Sequence, residues 1–454
     1  MRFLSSLAVL ALGGTACLAA ADLTAAGTEQ NAPVTFSKDI ARIFEVKCQE
    51  CHRKGTAAPM SLITYEETRP WAKAIKERVL KRQMPPWQID PTVGIQSFMN
   101  DRSLSDQQIA TIVKWVDGGA PMGNPKDLPA PRQWPADNAW ETAKLLGQPE
   151  VVVQSPEFTM PAHGQDVWWK PVTSLPITEP RWVRAVEIRP GTLAGRRITH
   201  HARADLEQDD PNDLTGDSAK GIRPAGILME WAVGKQNDVY PADSGKLLVS
   251  GAQIRWELHI HAVGEEVRDH VELAIWLYPK GVTPKNRTVL TFFPGTPRMG
   301  GSQVLDIPPN SVTVTSGTTL LRQAARLENF QPHMHLRGKA MLMEAILPDG
   351  AIETLSFVKD FNFNWMNNYM YTPDSAPVLP KGTMIRITAW YDNTNRNPNN
   401  PDPNQWVGFG DRTIDEMSHA WVNVTYLNDE EYRTWQAKKA GQTALLNESK
   451  KQLP

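Results

Sequence analysis

The chain has 454 residues, 41% hydrophobic and 22% charged, which makes it globular and too long for one ordinary domain. A formal charge of -2 supplies no attraction to nucleic acid or to an anionic membrane surface, and no stretch after residue 22 is apolar for long enough to span a bilayer. With 36 Pro, 30 Gly and 16 Trp among short alternating apolar runs, the composition favours β-rich domains over a helical protein.

Residues 1–21 read as an export signal. Arg2 is the positive end, "FLSSLAVLALGGTACLAA" the apolar stretch and "AAAD", ending at Asp22, the small-residue cleavage site. The expected location is periplasmic or secreted. Cys17 offers a lipoprotein alternative, against which Gly14 stands where a lipobox takes Leu. Removal of the signal leaves Cys48 and Cys51 as the whole thiol complement, so no disulfide framework is available.

A first, helical domain is expected over 32–122. "SKDIARIFEVKC" predicts a helix running into the cysteines. "RPWAKAIKERVLKR" predicts a second, with Pro70 in its first turn and Trp71, Ile75 and Val79 on one stripe. A third opens at Ser105, where Ser105 and Gln108 make a capping box. Ile109, Ile112, Val113 and Val116 follow at helical spacing, and Gly118-Gly119 ends it. The proline-rich stretch within 123–150 reads as a linker. Beyond it the period changes to two, and "RWVRAVEIRP", "IRWELHIHAV", "VELAIWLYP", "SVTVTSGTTL", "MIRITAWYDN" and "AWVNVTYL" predict strands. Two β-sandwiches are expected, over 151–308 and 309–430, with "MGGSQVLDIPPN" as the seam and 431–454 as a polar tail.

"CQECH", residues 48–52, has the spacing for thioether attachment of one haem through Cys48 and Cys51, with His52 beneath the iron. A redox dithiol needs no following His, and a zinc site needs a second ligand pair nearby. Met60 follows His52 too closely to wrap round a haem edge. Met84, in "RQMPPW", lies after the next helix with two prolines extending the chain behind it, and is the expected sixth ligand. These segments resemble class I cytochromes c. That resemblance implies that the Pro59 carbonyl of "AAPMSL" orients His52, and that a thioether-ligated haem serves electron transfer.

Of ten histidines, six more than His52 fall in three pairs: His200 and His201, His259 and His261, His333 and His335. His163 and His270 read as ordinary polar residues. Residues i and i+2 of a strand share a face, so His333 and His335 can grip one ion. Adjacent His200 and His201 point apart in a regular strand and can share an ion only at a bend or edge. In this order, on a β-rich exported chain, the pairs resemble the type II copper, ascorbate-dependent monooxygenases, the peptidylglycine α-hydroxylating and dopamine β-monooxygenase family.

The resemblance implies two jelly-roll sandwiches, each carrying one copper. Its spacing to Gly264 and Asp269 selects His259 as the third ligand of the first copper, with His200 and His201, and leaves His261 as a same-face neighbour. "PHMHLRGK" and "DEMSHAWVNV" imply His333, His335 and Met417 for the second, catalytic copper, where a thioether beside two imidazoles holds Cu(I). Gln331, His419 and Trp421 occupy positions at which peptide-amidating members carry Arg, Asn and Tyr, so a glycine-extended peptide is not the expected substrate.

The expected fold is therefore multidomain: a small all-α cytochrome c domain followed by two all-β jelly-roll sandwich domains. The expected activity is copper-dependent monooxygenation, hydroxylating a C–H bond of a small molecule with O2. Electrons would enter through the haem from an external donor, ascorbate-like or another cytochrome. The alternative is a non-enzymatic c-type cytochrome electron carrier with a copper-binding β-sandwich module.

Overall fold

The computed structural model describes residues 33–438 except 57, 135–138, 211–223, 236 and 300–301. The expected export signal, two residues of the expected seam and the end of the expected tail lie outside them. Strand is the dominant element, and the helices with a core of their own belong to the N-terminal segment. Among the described residues, no helix is long and apolar enough to cross a membrane.

The first helical stretch, Phe36–Ile40 continuing as Ala41–Lys47, starts where the Thr35 hydroxyl accepts the Lys38 amide. The helix Asp106–Asp117 carries the expected capping box, Ser105 and Gln108 each accepting from the other's backbone N–H. Phe36, Phe44, Ile75, Val79, Ile112 and Trp115 close a small apolar core, with Phe44 and Trp115 edge to face at 6.4 Å. The expected stripes are only partly buried. Trp71 is 43% exposed because it closes a 3₁₀ turn, Arg69–Trp71, that precedes the α-helix Ala72–Leu80. Trp115 takes the central place instead, and its indole N–H donates to the Pro121 carbonyl at 3.0 Å.

The segment 32–122 does not close on itself. Strand Ile89–Gly94 pairs antiparallel with Ile352–Val358 and becomes an edge of the C-terminal five-stranded sheet. Trp87, Ile89 and Phe98 are buried in the C-terminal core, with Trp87 edge to face on Tyr369 at 4.7 Å. The stretch expected as a linker makes contacts with the first sandwich. Trp140 is buried against Trp276 with the Arg189 guanidinium 3.6 Å above it, and the Glu187 carboxylate accepts the amides of Glu141 and Thr142. An aromatic side chain in an otherwise polar stretch anchors the chain where composition alone predicts freedom.

The six expected strand runs all form strands, ending within a few residues of their expected limits. Around each core, two sheets face each other. In the first sandwich Val183, Val186, Ile188, Leu273 and Ile275 meet Ala202, Ala204, Leu206, Ile254, Trp256 and Leu258. In the second, Met341, Met343, Ile385, Ile387 and Ala389 meet Phe330, Ala420, Val422 and Val424, with the inward residues at i, i+2 spacing on their strands. The two sandwiches are hydrogen-bonded to each other, because strand Asn286–Pro294 pairs with His419–Leu427 along seven residue pairs from Thr288 to Pro294. This shared strand pair brings the histidine-bearing ends of both sandwiches together.

Candidate metal centres

His200 and His201 begin the strand Thr199–Glu207, just past a one-turn helix, Gly195–Ile198. Opposite them, His259 pairs with His201 while Ile260 pairs with Thr199, so His200 is an extra, bulged residue. A bulge breaks the alternation of side chains, and it turns these two adjacent rings to one side. Ligand atoms of His200, His201 and His259 all lie within 4.8 Å of one another. His259, not His261, completes the cluster. The helix that delivers the pair is seated on Asp269: a Cβ at Gly195 would lie 1.5 Å from Asp269 Oδ2, so any larger residue must displace that carboxylate.

His259 stacks on Trp168 at 4.2 Å and donates through Nε2 to the Asp166 carboxylate at 2.8 Å, which leaves Nδ1 as its free lone pair. Asp166 and Trp168, in "GQDVWW", carried no local motif; the strand pairing His259↔Trp168 brings them to the site.

The second set is built differently. Strand Asn329–His333 ends at His333, and His335 lies just beyond it. The two rings are 5.5 Å apart. Buried Glu416 holds this turn: its carboxylate accepts the amide of His335 at 2.8 Å and that of Arg337 at 2.6 Å. Burial pushes the Glu416 carboxyl up to about 8, against the two N–H donors, which favour the ionised form. His335 Nδ1 donates to the Asp415 carbonyl at 3.1 Å, so Nε2 is its ligand atom. Met417 follows directly, its carbonyl accepting the Tyr391 hydroxyl at 2.8 Å.

Met417, His333 and, from the first cluster, His201 line one cavity of about 330 Å³. Trp168, Phe292 and Trp421 supply apolar wall, and the His419 ring stacks on His333 at 4.7 Å. Four of its lining residues carry buried polar atoms without a hydrogen-bond partner, His333 Nδ1, His419 Nε2, Glu230 Oε1 and Trp421 Nε1, and His200 Nδ1 and Gln331 Oε1 are likewise unpartnered. Orphaned buried polar atoms are costly unless something else satisfies them. Burial lowers the His200 imidazole to about 3 and His335 to about 4, lowers His259, and takes His201 and His333 well below the usual range. All are neutral near pH 7, with lone pairs available. Three imidazoles in one set, and two imidazoles beside a thioether in the other, fit copper in chemical type.

At the N-terminal motif, Cys48 and Cys51 are free and half-buried, and the His52 amide donates to the Cys48 carbonyl at 2.9 Å. Burial pushes the Cys48 thiol up to about 12 and raises Cys51, the opposite of an activated dithiol. His52 Nδ1 meets the carbonyl of Met60 at 3.2 Å, not that of Pro59, because the turn after the motif places the next residue over the ring. Nε2 remains for an iron, so these three residues fit haem attachment. Met84, at a cis Met84–Pro85 peptide, lines a cavity of about 520 Å³ with Val79, Leu104 and Ile109; His52 is not among the residues lining it.

No family model matches the chain, and no curated protein matches it. Among solved structures it is similar to the major capsid protein P2 of bacteriophage PM2, at 10% identity and a TM-score of 0.26 over 61% of this chain and 97% of that one. It is also similar to the Cowpea mosaic virus top component, at 9% identity and 0.28 over 63% and 90%. Likenesses this weak say nothing of function.

Proposed function

We propose that the chain is an exported copper- and haem-dependent monooxygenase, with two jelly-roll sandwiches and a cytochrome c-type N-terminal segment. What carries this reading is a single observation: His201 from one histidine set and His333 with Met417 from the other line the same cavity. When bound, copper would supply dioxygen activation at the second set and electron storage at the first, with haem as the port for electrons from an external donor. His333, His335 and Met417 hold the ion at the second set, and Glu416 fixes the backbone on which His335 sits. His200, His201 and His259 hold the other, with Asp166 setting the His259 ring. The aromatic wall of Trp168, Phe292 and Trp421 keeps water from the substrate's reacting carbon, and Glu230 and Trp421 offer the polar contacts that orient it.

The test is metal analysis of the exported protein, followed by oxygen uptake with a reductant and a panel of small substrates. Two coppers per covalent haem with a hydroxylated product is the expected result. Copper binding without turnover on any substrate would leave an electron carrier. Haem reduction by substrate in the absence of oxygen would reverse the proposed direction of electron flow.

A further inference from the structure

One segment meets both histidine sets and the loop that carries Met84. Phe363 lies flat on His200, ring centroids 4.7 Å apart and planes 22° apart, and meets His335 edge to face at 5.7 Å. A single side chain is therefore a wall of both centres. Four residues on, Asn367 is buried and donates through Nδ2 to the Pro86 carbonyl and to Gln88 Oε1, each at 2.8 Å. Pro86 is two residues past Met84.

The rest of the segment is tied as firmly. The Phe361 amide donates to the Lys339 carbonyl, Trp365 to Asn362 and Met366 to Val233 of the first sandwich. Asn368 accepts from Asn100 through its carbonyl and from Asn329 through its side chain. Gly234, at φ +114°, comes so close that a Cβ there would stand 3.0 Å from Asn367 Oδ1. Residues 361–370 thus bridge the N-terminal segment and both sandwiches, and Phe363 is held at the point where the two histidine sets approach.

We propose that residues 361–370 are the coupling element of the protein, with Phe363 the positioning residue shared by both copper centres and Asn367 its tie to the Met84 loop. This rests on the copper and haem reading above. A ring stacked on His200 fixes that imidazole's rotation while leaving its in-plane lone pair open, and the same ring's edge limits where His335 can turn. Displacing the ring releases a ligand of each centre at once.

The experiment is a cupric ion titration of the full haem-bearing chain, the two centres resolved by their paramagnetic resonance signals. Phe363→Ala is expected to weaken both centres by roughly tenfold or more and to alter both signals, whereas Phe363→Tyr, which keeps the flat ring, restores them. Should Phe363→Ala fail to fold, Phe363→Leu, with the bulk but not the flat face, carries the same expectation. Unchanged affinities, or weakening at one centre only, overturn the shared role. Asn367→Ala is expected to shift the haem visible spectrum together with both copper affinities; a spectrum and affinities equal to wild type overturn the tie. A wild type that takes up no copper overturns the functional reading and this inference with it. Two coppers bound equally by wild type and Phe363→Ala overturn the inference alone.

Discussion

Replacing Glu416 by glutamine tests how the second centre is assembled. Both oxygens of this buried carboxylate accept backbone N–H groups, from His335 and from Arg337. Glutamine keeps one acceptor and turns an NH₂ group toward the other amide, so one bond is lost and two donors face each other. A neutral buried hydrogen bond is worth about 0.5–1.5 kcal/mol, and leaving a buried N–H donor unsatisfied adds about 1–3 kcal/mol. Glu416→Gln should therefore cost roughly 2–3 kcal/mol, which at about 1 °C per kcal/mol for a chain of 454 residues lowers Tm by about 2–3 °C. The released turn carries His335, so copper affinity at the second centre should fall by roughly 10–100-fold. The first centre, whose histidines take no hydrogen bond from Glu416, should be unchanged. Calorimetry gives the first quantity and cupric titration the other two. A variant with wild-type Tm and wild-type affinity at His333 and His335 would refute the role assigned to Glu416.

Gly195→Ala drives a methyl group into the Asp269 carboxylate and should displace the turn that delivers His200 and His201; at an overpacking cost of about 1–3 kcal/mol, metal analysis should find the first centre lost and the second retained. Trp87→Ala removes a buried ring that packs on Tyr369 and Phe98 and should cost about 3–5 kcal/mol, read as a lower denaturant midpoint. Buried Lys246, whose Nζ donates to the carbonyls of Ile227 and Leu228, is brought down by burial to about 7. Its folded value lies below its unfolded one, so the unfolded chain takes up a proton that the folded chain refuses as pH falls from above 10 towards 7. Stability should drop across that window by up to about 1.4 kcal/mol per pH unit, and Lys246→Met should flatten the slope in denaturation curves measured between pH 7 and 10.

The helices and strands were legible because their signals are local: the capping box at Ser105, the i, i+2 alternation at Ile385, Ile387 and Ala389, the aromatic and β-branched run of residues 420–427. The H-x-H pair was legible for the same reason. Trp115 was missed as a core residue because a helix's buried face depends on what lies across from it, and Trp71 was expected inside for the same lack of a partner. Asp166, Trp168, Phe363 and Asn367 had no motif; each matters through a contact with a residue at least ninety positions away.

From the sequence alone came the element types and the cysteine and histidine inventory, carried by local pattern, while the choice of His259 over His261 was what the family resemblance implied. The tertiary structure decided the rest. The bulge that turns His200 and His201 to one side exists only against the partner strand that ends in His259 and Ile260. The carbonyl over His52 belongs to Met60 because of how the turn folds. Ile89–Gly94 and Asn286–Pro294 complete hydrogen bonds with strands far along the chain. Backbone pairing satisfies groups whose partners no local window contains, and that pairing brings both histidine sets to one cavity.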